Sequence, residues 1–292
     1  MTYVTEHNLT DLAIERWSNI DDPRLREVMM ALIKHLHGFV REIEPSPKEW
    51  FAAIEWLTRV GKMCDDKRQE FILTSDVFGV SMLVDALNHR LESGATPTTV
   101  EGPFHIPHSP EVEHGGNMAD GAPGEPCYVV GTVRDTGGKP LAGVVLDVWQ
   151  TDGEGLYEAQ VGTDDAYMRG VYRTGADGSY IIRTVAPIGY TIPMDGPLGE
   201  LMGRTNISHM RPAHIHFHVR APGYHEVITH LFMRGDQYID TDVVFGVKEP
   251  LIVDFKNQPA GTAPNGHPEK QPYLLVEYDF VLQREALAVA AE

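Results

Sequence analysis

The feature that most constrains this chain is a change of texture at Glu92-Ser93-Gly94-Ala95-Thr96-Pro97. Before it, glycine and proline are scarce and apolar residues recur at helical spacing. After it, both become frequent and short β-rich runs alternate with turn signals. Helices segregated from strands along a chain define an α+β fold, with a helical domain over 1–97 and a β-sandwich domain over 98–292. In the first part, Asp22-Pro23 marks a helix start: an N-cap acceptor, then a proline whose missing N–H costs nothing in the first turn. Leu25, Val28, Met29, Leu32, Ile33, Leu36, Phe39 and Val40 follow with the 3/4 spacing of one buried face. Ser46-Pro47 opens a second helix with Trp50, Ala53, Ile54 and Leu57 on one side. A third is predicted over 77–91, with Val80, Val84, Leu87 and Leu91 aligned.

In the second part, strands are predicted over 127–134, 144–150, 213–220, 227–233 and 273–281. Runs at 172–174 and 180–183 flank Ala176-Asp177-Gly178, a hairpin signal. Short strands with regular turns predict an antiparallel β-sandwich. The alanine-rich stretch 284–292 reads as an exposed end.

Charge and cysteine usage narrow the function classes. The 292 residues carry a net charge of −18, from 24 Lys and Arg against 42 Asp and Glu. No basic stripe is present to meet a phosphate backbone, which argues against a nucleic-acid partner. No run of about 20 apolar residues exists to span a membrane. The N-terminal MTYVTEHNLTDLAIERW lacks the basic and apolar segments of a secretory signal. Cys64 and Cys127 form no CxxC, so a disulfide scaffold or thiolate zinc site is not expected and the cytoplasm is.

The histidines carry the chemistry. In Arg211-Pro212-Ala213-His214-Ile215-His216-Phe217-His218-Val219, strand alternation places His214, His216 and His218 on one face, about 7 Å apart by Cα. Neighbouring same-face histidines can converge on one metal, each ring nitrogen about 2.1 Å from it. The same strand face also suits histidines bonded only to carbonyls or solvent. No HExxH helix accompanies them. Glu226 and Asp236 keep a two-histidine, one-carboxylate site open. Tyr157 and Tyr190 sit in turn-rich Gly155-Leu156-Tyr157-Glu158 and Gly189-Tyr190-Thr191-Ile192-Pro193. A phenolate is a hard anionic ligand, better suited to ferric iron than to zinc, although most tyrosines simply pack.

Five segments occur in order: Asp147-Val148-Trp149-Gln150, Gly153-Glu154-Gly155-Leu156-Tyr157, Pro187-Ile188-Gly189-Tyr190, Ile192-Pro193, and Arg211-Pro212-Ala213-His214-Ile215-His216-Phe217. Together they resemble the intradiol ring-cleaving catechol dioxygenases, across essentially the whole chain. Leu73-Thr74-Ser75-Asp76-Val77-Phe78-Gly79 and Val100-Glu101-Gly102-Pro103-Phe104 resemble the branch of that family acting on hydroxyquinol. In Ile228-Thr229-His230-Leu231, His230 stands where catechol-specific members tend to carry glutamine.

The resemblance implies one ferric ion per chain, bound by Tyr157, Tyr190, His214 and His216, with His218 in a supporting role. It implies Tyr190 as the labile phenolate that accepts a substrate proton, and Arg211 as the cation that stabilises charge on the ring. It implies Leu73, Asp76, Gly102, Pro103, Phe104, Ile192, Pro193 and Arg211 as substrate-binding residues. Asp76 would bond a third ring hydroxyl; a helix N-cap is its other reading. The implied substrates are a small aromatic diol or triol and O2, with hydroxyquinol ahead of catechol or chlorocatechol. The implied assembly is a homodimer through the N-terminal helices, with a phospholipid at the interface in some members. Two other classes stand against this. A transthyretin-like binding module would need no metal, and a zinc hydrolase would use the histidines alone.

Overall fold

The computed structural model describes residues 3–65, 68–163 and 166–285, so 286–292 of the predicted exposed end lie outside the described residues. The chain divides into two compact units between Arg59 and Val60. The first carries α1 (Leu9–Trp17), α2 (Pro23–Ile43) and most of α3 (Pro47–Lys62). The start of α2 follows the sequence reading: the Asp22 carboxylate accepts from the Arg24 and Leu25 amides, with Pro23 in the first turn. At α3, Glu49 Oε2 accepts from the Ser46 amide at 2.8 Å while Ser46 Oγ accepts from the Glu49 amide at 3.3 Å, a reciprocal capping box. The apolar face of α2 is formed but not buried. Leu25, Val28, Leu32, Leu36, Phe39 and Val40 are exposed, as are Trp50, Ile54 and Leu57 of α3.

The second unit begins with α4 (Glu70–Val77) and α5 (Val80–Asn88). The helix predicted over 77–91 is α5, shorter at both ends, and α4 before it was not predicted; Gly79 between them takes a left-handed φ of 72° that ends one and starts the next. Asp76 lies in the last turn of α4, buried, and is not an N-cap.

The strands follow in chain order: β1 (Pro126–Asp135), β2 (Val145–Trp149), then after the short α6 (Glu158–Val161), β3 (Arg169–Arg173), β4 (Ser179–Val185) and β5 (Tyr190–Thr191). After α7 (Pro197–Met202) come β6 (Met210–Arg211), β7 (His214–Arg220), β8 (Val227–Met233), β9 (Ile252–Val253), β10 (Lys256–Gln258), β11 (Gly261–Thr262), β12 (Pro268–Glu269), β13 (Tyr273–Glu277) and β14 (Phe280–Leu282). One sheet runs β10-β13-β1-β14, with β4 also on β1; the other runs β3-β2-β7-β8-β9. This is the α+β sandwich expected. Its sheets are mixed, because β1 pairs in parallel with β13 and β14, and β8 with β9. The predicted hairpin at Ala176-Asp177-Gly178 is instead a crossing between sheets: β3 pairs with β2 and β4 pairs with β1. Gly178, at φ 79°, is needed there because a Cβ would lie 2.8 Å from the Val133 carbonyl oxygen.

Alternation along β7 sets both the core and the site. Ile215, Phe217 and Val219 point between the sheets, into a core with Val129, Leu146, Val148, Ile182, Leu231 and Phe280. His214, His216 and His218 take the other face and are nonetheless buried. Residues 99–105 cover this face, with Gly102 against the His216 ring and His105 edge-on to His218.

Candidate metal centre

Four strands and the start of α6 bring the polar groups together. His214 and His216 come from β7, and His230 of β8 is the cross-strand partner of His216. Tyr190 of β5 pairs with Arg211 of β6. Tyr157 immediately precedes α6 and is 2% exposed. The donor atoms form a chain: Tyr157 Oη to Tyr190 Oη 3.2 Å, Tyr190 Oη to His214 Nε2 3.5 Å, and His214 Nε2 to His216 Nε2 3.1 Å. Ligands about 2.1 Å from a shared cation stand about 3.0–3.4 Å apart at angles between right and tetrahedral, so these contacts have the spacing of a coordination sphere.

Protonation agrees with that spacing. His214 Nδ1 lies 2.6 Å from the Pro212 carbonyl, which can only accept, so Nδ1 carries the proton and Nε2 presents a lone pair. Burial, reinforced for each ring by neighbouring cationic groups, pushes His214, His216 and His230 well below the usual histidine range, which keeps them neutral. Burial pushes the Tyr157 phenol well up, and the neighbouring Tyr190 adds to the rise. Tyr190 is also raised by burial, against the pull of the Arg211 charge. Two buried phenols and neutral imidazoles with converging donor atoms fit a highly charged cation, which would supply the charge that ionises the phenols.

Arg211 is buried and fixed by Asp242, Nε to Oδ1 at 3.1 Å, and its Nη1 lies 3.1 Å from His214 Nε2. Asp242 also accepts from the Gly246 amide at 2.9 Å. Phe104 stacks on Tyr157 with centroids 4.4 Å apart, and Trp149 stacks on His216 at 4.7 Å. Gly102 has φ 79°, and a Cβ there would meet the His216 ring at 3.4 Å.

Apart from Arg211, which lines neither, the expected substrate-binding residues divide between two cavities. Leu73, Pro103, Phe104, Ile192 and Pro193 line one of about 560 Å³. Asp76 and Gly102 line a neighbouring one of about 550 Å³ with Thr99. Asp76 is 2% exposed, its Oδ2 has no partner, and burial raises its carboxyl above the usual range, with the charge of Arg211 among the opposing influences.

Other candidates fall elsewhere. Asp236 accepts from the Ala213 amide in a turn, and Glu226 pairs with His218. Sequence reasoning missed how closely His230 joins the centre. It shares a group of potential ligands with His214 and His216 within 4.8 Å, its Nδ1 is bonded to Thr99 Oγ1, and its Nε2 has no partner. The signal was the register: a tight β7–β8 pairing places 230 opposite 216. Asp242 had no motif to announce it.

The chain has close relatives. A family profile described as "Dioxygenase" matches residues 100–284, and one described as "Catechol dioxygenase N terminus" matches 22–96. The chain belongs to the intradiol ring-cleavage dioxygenase family and is an enzyme of that class. The 6-chlorohydroxyquinol 1,2-dioxygenase of Cupriavidus pinatubonensis is 46% identical over 95% of this chain and 97% of its own. A hydroxyquinol 1,2-dioxygenase of a Rhizobium species is 45% identical over 97% of each. The crystal structure of hydroxyquinol 1,2-dioxygenase from Pseudomonas putida superposes with a TM-score of 0.88 at 44% identity, over 96% of this chain and 99% of that one.

Proposed function

We propose that this enzyme cleaves hydroxyquinol, benzene-1,2,4-triol, with O2 between its adjacent hydroxylated carbons, giving 3-hydroxy-cis,cis-muconate and its tautomer maleylacetate. The observation that carries the reading is the buried convergence of Tyr157, Tyr190, His214 and His216. The relatives named for hydroxyquinol support the substrate. Bound by those four residues, ferric iron would supply Lewis acidity toward the two adjacent substrate oxygens and a path for electrons from ring to O2.

The chain's own groups do the rest. Tyr190 Oη receives a proton from a substrate hydroxyl; the Arg211 charge nearby eases its passage between phenolate and phenol. Arg211, held by Asp242, stabilises negative charge on the substrate oxygens, as a guanidinium does at any working pH. Pro212 fixes the His214 tautomer. Leu73, Phe104, Ile192 and Pro193 give a flat ring apolar walls and exclude water. The unpartnered Oδ2 of Asp76 accepts the third hydroxyl.

Catechol or chlorocatechol cleavage is the second reading, supported by the N-terminal family match. Turnover on hydroxyquinol and catechol side by side decides between them. A kcat/KM at least tenfold higher on hydroxyquinol is expected; a preference for catechol would overturn the proposed substrate. The exposed apolar faces of α2 and α3 support the helical region, 1–97, as the homodimer contact and as the place a phospholipid would bind. Light scattering and lipid extraction test both. No helix among the described residues is long and apolar enough to cross a membrane, and the free Cys64 and Cys127 suit the cytoplasm.

A further inference from the structure

A second cluster of ligand-type side chains lies farther along the same sheet face. Glu101, His105 and His218 each present a ligand atom within 4.8 Å of the others. Asp147 joins them: it is the cross-strand partner of His218 in the β2–β7 pairing, and its Oδ2 lies 3.3 Å from His105 Nε2. Glu101 Oε1 lies 3.1 Å from His105 Nδ1. A cavity of about 790 Å³ gives access, lined by His105, Asp147 and Glu226 among others.

Two features go beyond a set of ion pairs. Asp147 is 4% exposed, and its carboxylate lies on His105 Nε2 at 3.3 Å, which leaves Nδ1 of that ring facing Glu101. His218 is 9% exposed and its Nδ1 has no hydrogen-bond partner, while its Nε2 lies 2.7 Å from Glu226 Oε2. A carboxylate can only accept, so the proton of a neutral His218 sits on Nε2 and Nδ1 is left as a bare lone pair. That is the carboxylate–histidine–metal arrangement, in which the outer carboxylate fixes the tautomer and makes the ligand more basic. A buried orphan acceptor is costly and rare, and His218 Nδ1 is one, within this cluster.

We propose that Glu101, His105 and His218 form a second cation site, for a borderline divalent transition ion such as Zn²⁺ or Co²⁺, with Asp147 orienting His105 from its other ring nitrogen and Glu226 orienting His218. Two imidazoles with a carboxylate suit such ions, whereas Ca²⁺ and Mg²⁺ prefer all-oxygen shells. The set differs from the Tyr157–His216 centre, which has two phenols and no carboxylate, so the two places select different cations. The inference does not rest on the substrate assigned above.

The test loads the iron-containing protein with ZnCl2 by equilibrium dialysis and counts iron and zinc separately by elemental analysis. One zinc per chain is expected, with the iron count unchanged. The His105→Ala/His218→Ala double variant should lose that zinc and keep its iron. Glu226→Gln, an exposed change that leaves the fold intact, should weaken zinc binding about 10- to 100-fold. Zinc gained only as iron is lost, zinc retained by the double variant, or unchanged affinity in Glu226→Gln would each overturn the site.

Discussion

Two histidine clusters share the outer face of β7, and their neighbours make them unlike. At the His214 end, cross-strand His230, the phenols of Tyr157 and Tyr190, and Arg211 crowd a buried centre with no carboxylate among its potential ligands. At the His218 end, Asp147, Glu101 and Glu226 surround a partly open one. Trp149 stands between them, stacked on His216 at 4.7 Å and tilted against His105 at 4.7 Å. One strand supplies the spacing in both places. The paired strands and the covering segment 99–105 supply the partners, and so decide which chemistry each end can hold.

The comparison is broken most severely at Tyr190. Tyr190→Phe should keep most of the iron, since Tyr157, His214 and His216 remain, yet lower kcat by about 10²–10⁴ through loss of the proton acceptor. The visible band should shift and persist. Wild-type turnover would move the labile role to another tyrosine. The alternatives are poorly placed, with the Tyr167 hydroxyl on Asp152 at 2.8 Å and the Tyr172 hydroxyl on the Gly116 carbonyl at 3.1 Å.

A smaller effect sharpens the reading of the buried end. A hydrogen bond to a charged group contributes about 1.5–3 kcal/mol. Asp76→Ala should therefore cut the hydroxyquinol-to-catechol ratio of kcat/KM about 10- to 100-fold, with the loss confined to the triol. Equal slowing on both substrates would make Asp76 a structural residue instead.

The smallest effect is on stability. Burial raises the Asp76 carboxyl pKa in the fold, so the folded state holds that proton more tightly than the unfolded chain. This contribution is largest below the unfolded pKa and declines as pH rises through the raised folded value. Asp76→Asn, which cannot ionise, should gain melting temperature over the native protein at pH 7 and lose most of that advantage near pH 4. An advantage that stays constant between the two pH values would show that the carboxyl is not raised.

What the sequence made legible was mostly periodic or local. The cap at Asp22-Pro23, the alternation of Ile215, Phe217 and Val219 against the histidines, and the strand over 227–233 all follow from short-range rules. The misses lie where distant segments decide. The helix α4, whose two faces carry no clear apolar stripe, was not predicted, and β3 and β4, close in sequence, pair in different sheets with β2 and β1. At the centre, the residue types of Tyr157, Tyr190, His214 and His216 were readable, whereas Asp242, which fixes Arg211 from 31 residues away, became visible only in three dimensions. The apolar stripe of α2 was legible as a stripe, while its exposure in a single chain was not.

The central claim is that the His214 end of β7 forms a ferric tyrosinate centre and the His218 end does not. Iron content and the visible charge-transfer band, measured on the purified protein beside His216→Ala and His218→Ala, test it directly. The account predicts about one iron per chain and a red-brown protein, loss of most iron and colour in His216→Ala, and retention of both in His218→Ala. A colourless native protein, or full iron and colour in His216→Ala, would contradict it.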